Sequence, residues 1–176
     1  TAGTYEVVIT DSNSCVTIYP VTVTEPLAPL VLSMDSINVF CFGDTTGSID
    51  LSVTGGTPGY SYLWNIGDTL QDIDSLITGT YQVIVTDTNQ CVDSLSVFID
   101  QPLAAIALSA TQVDILCFGD ATGEVDLTVS GGTPASTGYV FDWNSGTFAT
   151  EDLTDIPFGP YAVLVTDSLL CSDTLS

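Results

Sequence analysis

The chain has no lysine, no arginine and no histidine in 176 residues, against 22 aspartates and glutamates, so its formal net charge is −22. An average globular composition would supply roughly 20 basic residues. Without them the protein cannot displace counterions from a phosphate backbone, and its own charge repels a polyanion, so nucleic acid is excluded as a partner. Anionic membrane surfaces are excluded on the same ground. There is no imidazole to shuttle protons near neutral pH, no amine for a Schiff base or an isopeptide bond, and no guanidinium to clamp a carboxylate or phosphate. An enzyme is therefore not expected, and no catalytic residue is assigned. Helical periodicity is also missing throughout, which removes the helix-based architectures.

What the chain does contain is repetition. The string GTYEVVITDSNSC (Gly3 to Cys15) returns as GTYQVIVTDTNQC (Gly79 to Cys91) and as GPYAVLVTDSLLC (Gly159 to Cys171). A second string, CFGDTTGSIDLSVTGGTP (Cys41 to Pro58), returns as CFGDATGEVDLTVSGGTP (Cys117 to Pro134). Successive copies of the first string are offset by 76 and 80 residues, and Ala135, Ser136 and Thr137 account for most of the difference. Prolines at Pro26 and Pro102 stop a strand and stiffen its exit. Residues 1–26 accordingly read as the last strands of one repeat, 27–102 as a complete repeat, and 103–176 as a second repeat truncated in its last strand. The chain reads as a window onto a longer array.

Within each repeat the apolar period is two, the signature of half-buried strands. Ile49, Leu51 and Val53 alternate with Ser48, Asp50 and Ser52, and the second copy sets Val125, Leu127 and Val129 between Glu124, Asp126 and Thr128. Tyr60, Tyr62 and Trp64 share one face, as do Tyr139, Phe141 and Trp143. Turn signals such as Gly-Gly-Thr-Pro interrupt these runs at short intervals. The expected fold class is all-β: tandem immunoglobulin-like β-sandwiches of antiparallel strands, set end to end. A domain this small gains from a covalent staple.

Five cysteines offer one. Each complete repeat holds two, so the expected bonds are Cys41–Cys91 and Cys117–Cys171, with Cys15 joined to an upstream partner. The rival pairs, Cys15–Cys41 and Cys91–Cys117, each lie 26 residues apart. A last strand, a joint and a first strand laid end to end would hold those sulfurs far beyond the roughly 7 Å that bonded Cα atoms require. Free buried thiols are the remaining alternative.

Aspartates recur at matched positions, and Asp44, Asp50, Asp87, Asp120, Asp126 and Asp167 are weak candidates for calcium, which favours clustered carboxylate and carbonyl oxygens. No EF-hand spacing is present. Calcium is thus the one cofactor left open, against the plainer reading that a copied domain copies its solvated surface. Trp64 and Trp143 would stack on sugars if exposed, but their alternating strands favour core packing.

The order C-F-G-D-x-T-G, G-G-T-P, an aromatic strand ending in Trp, G-x-Y-x-V-x-V-T-D and a closing Cys before an x-P joint resembles the SprB-type repeats of giant Bacteroidota cell-surface adhesins. The resemblance rests on Cys41 to Pro58, Trp64, Gly79 to Cys91 and Pro102, and in the second copy on Cys117 to Pro134, Trp143 and Gly159 to Cys171. It implies an immunoglobulin-like domain in a long filament exported by type IX secretion to the cell surface, with gliding or attachment as the role. The expected function is a structural stalk that holds a distal adhesive region away from the cell. Neighbouring repeats are the expected partners, with other surface filaments or polysaccharide as further candidates. Two other classes compete: a carbohydrate-binding or enzyme-accessory module, and a calcium-binding surface-layer or matrix protein.

Overall fold

Alternating apolar and polar residues favour extended backbone, because successive side chains then face core and solvent in turn. The computed structural model describes residues 1–176, and its fourteen strands are joined by turns and loops without a helix. The first two, β1 (Gly3–Thr10) and β2 (Val16–Val23), form an antiparallel hairpin from Gly3↔Val23 to Thr10↔Val16. Every residue of this hairpin is exposed, since two strands have no second layer to cover them.

The first complete repeat supplies β3 (Val31–Ile37), β4 (Gly47–Thr54), β5 (Ser61–Trp64), β6 (Ile73–Leu76), β7 (Gly79–Thr86) and β8 (Val92–Ile99). They form two three-stranded sheets, ordered β3-β4-β6 and β5-β7-β8. The second repeat reproduces this pattern. Its strands are β9 (Ala107–Val113), β10 (Gly123–Ser130), β11 (Val140–Trp143), β12 (Leu153–Ile156), β13 (Val163–Thr166) and β14 (Ser172–Leu175). Their orders are β9-β10-β12 and β11-β13-β14. Leu127, Leu153 and Ile156 from one sheet join Trp143, Val163 and Val165 from the other in a single buried cluster, as in a sandwich of two sheets. The matching residues Leu51, Ile73, Leu76, Trp64, Val83 and Val85 are buried in the first repeat.

The edge strands β6 and β12 are short and irregular. Pairing of β4 with β6 shifts register between Gly47↔Leu76 and Ile49↔Ile73, and β10 repeats the shift against β12. Ser75 and Asp155, at equivalent positions, take left-handed φ values of 57° and 54°. Such bulges twist an edge and discourage further strands from adding to it. The extra residues of the second repeat close a tight turn of their own, in which the Ala135 and Gly138 backbones bond each other.

Two compact units can be distinguished. One contains Thr1–Met34, Leu51–Gln71 and Gln82–Ser96; the other contains Asp35–Asp50, Asp72–Tyr81 and Val97–Ser176. The whole of the second sequence repeat, together with the end of the first that carries Cys41, falls in the latter.

Candidate functional site

Two recurring loops carry the cysteines, and each is organised by local polar contacts. In the T-D-x-x-x-C turn an aspartate caps the backbone. Asp87 Oδ1 accepts the N–H groups of Asn89 and Cys91, both at 2.8 Å, while Oδ2 accepts the Thr57 N–H at 2.8 Å. Asp167 does the same with Leu169 and Cys171 at 2.9 Å and with Thr133 at 2.8 Å. The residue before each closing cysteine is left-handed, with φ of 65° at Gln90 and 66° at Leu170. These carboxylates also explain the Gly-Gly-Thr-Pro string. Both glycines at 55–56 and at 131–132 have positive φ; a Cβ on Gly56 would lie 2.8 Å from Asp87 Oδ2 and one on Gly132 2.9 Å from Asp167 Oδ2, while one on Gly55 would overlap the Pro29 carbonyl.

Asp87 is buried without any basic partner. The Thr57 N–H is the chief reason that its carboxyl titrates below the ordinary 3.8; burial opposes the shift, and the Cys91 and Asn89 N–H groups reinforce it. Backbone dipoles thus replace the cations that the sequence lacks.

The C-F-G-D loop follows the first strand of each repeat. Around Cys41 it is tied to the segment leaving β8: Val39 N–H donates to the Asp100 carbonyl at 2.9 Å, and Gly43 N–H to Gln101 Oε1 at 3.0 Å. Asp100 N–H donates in turn to Asn38 Oδ1 at 3.0 Å, and Thr46 Oγ1 accepts the Phe40 N–H at 2.9 Å. In the sequence Asp100 and Gln101 stand out only as the residues that lead into the joint proline Pro102. The available signal was the polar residue before each joint proline, Glu25 and Gln101.

Cys41 is bonded to Cys171, with S–S 2.01 Å and Cα atoms 5.6 Å apart, across 130 residues of sequence. This corrects the expected Cys41–Cys91 and Cys117–Cys171 pairs: Cys91, Cys117 and Cys15 carry free, exposed thiols. The reason lies in where the two loops sit on a sandwich. Cys91 stands at the start of β8, beside the Asp87 turn, whereas Cys41 sits in the loop held by Asp100 and Gln101, where β8 ends. The eight residues of β8 separate those ends by about 27 Å at ~3.4 Å per residue, well beyond disulfide reach. Going on through the joint, the chain comes to Ala104, whose carbonyl accepts the Gly132 N–H next to the Asp167 turn. The loop of one repeat therefore meets the closing turn of the next.

The calcium candidates are not gathered into a site. Asp87 and Asp167 are committed to backbone N–H groups, Asp50 and Asp126 lie exposed on β4 and β10, and Asp44 and Asp120 sit in the C-F-G-D loops. No cluster of three or more His, Cys, Asp or Glu residues could hold a metal ion. Trp64 and Trp143 are core residues, and their indole N–H groups donate to the Leu70 and Thr150 carbonyls at 2.9 Å. Neither offers a face for sugar stacking.

The SprB repeat model matches residues 35–69 and 109–148, from the first strand of each copy through the aromatic strand. The chain carries two SprB-type repeats. Both SprB matches include the loop cysteine and the Gly-Gly-Thr-Pro turn, and both stop short of the closing cysteine. SprB repeats are structural units typical of cell-surface repeat proteins, not of an enzymatic family. No curated protein matches the chain. No helix is long and apolar enough to cross a membrane.

Proposed function

We propose that this chain is part of the stalk of a long, secreted cell-surface adhesin filament, holding a distal adhesive region away from the cell for attachment or gliding. The observation that carries this reading is the Cys41–Cys171 bond, which ties one SprB repeat covalently to the next. A ligand-binding or catalytic module gains little from such a bond, whereas a tension-bearing stalk does. Residues 42–170 lie inside the covalent loop, so force applied at the chain ends bypasses them through the sulfurs, and of the two repeats only the flanking strands β3 and β14 carry it. The net charge of −22 adds mutual repulsion between neighbouring filaments. Export by the type IX system of a Bacteroidota cell belongs to the same proposal, and calcium is no part of it. Burial of both tryptophans argues against the carbohydrate-binding alternative.

Antibodies raised against the 176-residue chain provide the test. They should decorate filaments on intact cells, and a strain lacking the gene should lose attachment or gliding. Labelling confined to lysed cells, or a gene deletion that leaves surface behaviour unchanged, would overturn the stalk reading.

A further inference from the structure

The cysteines fall into two structural kinds. Cys41 and Cys117 are loop cysteines of C-F-G-D, while Cys15, Cys91 and Cys171 close the T-D-x-x-x-C turn. The bond that forms is heterotypic and directional: a loop cysteine of one repeat joins the closing cysteine of the next. Applied to the other three, this rule gives each a partner that the 176 residues do not contain. Cys117 needs the closing cysteine of a following repeat; Cys91 and Cys15 need loop cysteines of preceding ones.

The unpaired cysteines are already built like the paired ones. At Cys91 and Cys171 alike, the capping aspartate N–H donates to the cysteine carbonyl at 2.9 Å. Asp87 and Asp167 Oδ1 hold the two cysteine N–H groups at 2.8 and 2.9 Å. At the loop cysteines, Asp44 N–H donates to the Cys41 carbonyl at 3.1 Å and Asp120 N–H to that of Cys117 at 3.2 Å. The following glycines have φ of 82° at Gly43 and 89° at Gly119. Cys117 differs from Cys41 in its surroundings. Its flanking residues Leu116 and Phe118 are 93 % and 110 % exposed, whereas Phe40 and Phe42, beside the bonded Cys41, are 45 % and 47 % exposed. Burying such groups is favourable by about 25 cal/mol per Å² of apolar surface.

We propose that Cys117 and Cys91 are open halves of a continuous ladder of inter-repeat disulfides, in which every repeat is bonded to both neighbours along the polypeptide. Each bond forms by thiol–disulfide exchange. The thiolate of one cysteine attacks a disulfide-bearing oxidant, the second thiolate displaces it from the mixed disulfide, and the oxidant leaves as a dithiol carrying the two electrons and two protons. Successive rungs overlap, because Cys117 lies inside the loop closed by Cys41 and Cys171. Every peptide bond in the interior of the array is then spanned by at least one disulfide, and a single backbone cut cannot sever the filament. This holds whatever the filament's tip binds.

The array can be lengthened in phase, since Ser176 matches Ser96 by the offset that aligns Cys171 with Cys91. Appending a second copy of residues 97–176 to the intact chain supplies Cys117 with a following repeat. It adds two cysteines. After oxidation by a glutathione redox buffer at high dilution, the ladder requires that the extended protein still show three free thiols, as the original does. Peptic mapping without reductant, at an acid pH that freezes exchange, should link Cys117 to the appended closing cysteine within one chain. In the extended protein Cys117→Ser should raise the free-thiol count by one, and the Cys41–Cys171 peptide reports in every sample that the repeats have folded. An increase of two free thiols in the unmutated extended protein with Cys41–Cys171 intact would overturn the proposal. So would Cys117 found bonded to Cys91, or bonds that form only between separate chains at high concentration.

Discussion

The C-F-G-D loop occurs twice with almost the same sequence and in two different surroundings. In the first repeat Val39 is buried, Gly43 is held by Gln101, Cys41 is bonded, and Ile99 packs against the backbone beside Gly47. In the second, none of the 176 residues takes the positions of Ile99, Asp100 and Gln101. An open pocket of about 450 Å³ is lined by Gly123, Ile156 and Tyr161 among others. Phe118 stands in solvent. The difference shows that the segment between repeats belongs to the fold of the repeat it leaves: it caps the core, anchors the loop and brings the loop cysteine to its partner.

The largest effect expected from erasing this difference comes from the disulfide. Closing a loop of 130 residues removes entropy from the unfolded chain worth about 5 kcal/mol in the loop-closure model. Urea unfolding of the oxidised chain against Cys41→Ser should show a loss of that order, at most. Single-molecule extension reads the same bond directly: the oxidised chain should release about 450 Å less contour length, at ~3.5 Å for each of the 130 bypassed residues. Equal contour lengths with and without reductant would mean that the staple does not form.

Ile99→Ala comes next. It should leave a gap beside Gly47, where the Ile99 side chain packs, at a cost of about 3 kcal/mol. Chemical denaturation should show the loss in the transition of the first repeat; a change below a few tenths of a kcal/mol would mean that the capping segment contributes little to the core.

Asp87→Asn should have a smaller, pH-dependent effect. The folded carboxyl titrates below 3.8, so the unfolded state binds its proton first as pH falls. Stability from this group is therefore fully present above about pH 4 and lost as pH drops through the folded value. The melting temperature of the variant should lie below that of the parent at pH 7, and the gap should narrow in acid. A gap that widens on acidification would show that the Thr57, Asn89 and Cys91 N–H groups do not favour the ionised form. This carboxylate acts against the general trend of like-charge repulsion, which on its own makes a chain of this composition more stable at low pH.

Gln101→Ala is the mildest test. It removes one hydrogen bond to the Gly43 N–H and should cost about 1 kcal/mol. Its more telling consequence is faster reduction of Cys41–Cys171 by dithiothreitol, because the loop that presents Cys41 loses an anchor. Unchanged reduction kinetics would separate the anchoring of the loop from the bond.

Much of this protein is decided by the order of its residues alone. Two-residue periodicity defines the strands, since a strand with one buried face tolerates no other pattern, and Trp64 and Trp143 enter the core where the alternation puts them. The recurrence of T-D-x-x-x-C likewise specifies a turn whose contacts are local, so Asp87 and Asp167 cap it in the same way. The cysteine partners belong to tertiary structure. Counting two cysteines per repeat suggests a bond inside each repeat, but a disulfide forms only where Cα atoms come within about 7 Å. Which end of an eight-residue strand a loop occupies is decided by the path of the chain through both sheets. That path sets Cys41 at the exit of its own repeat and Cys171 at the entrance of the next, a proximity between residues 130 apart that no local pattern encodes.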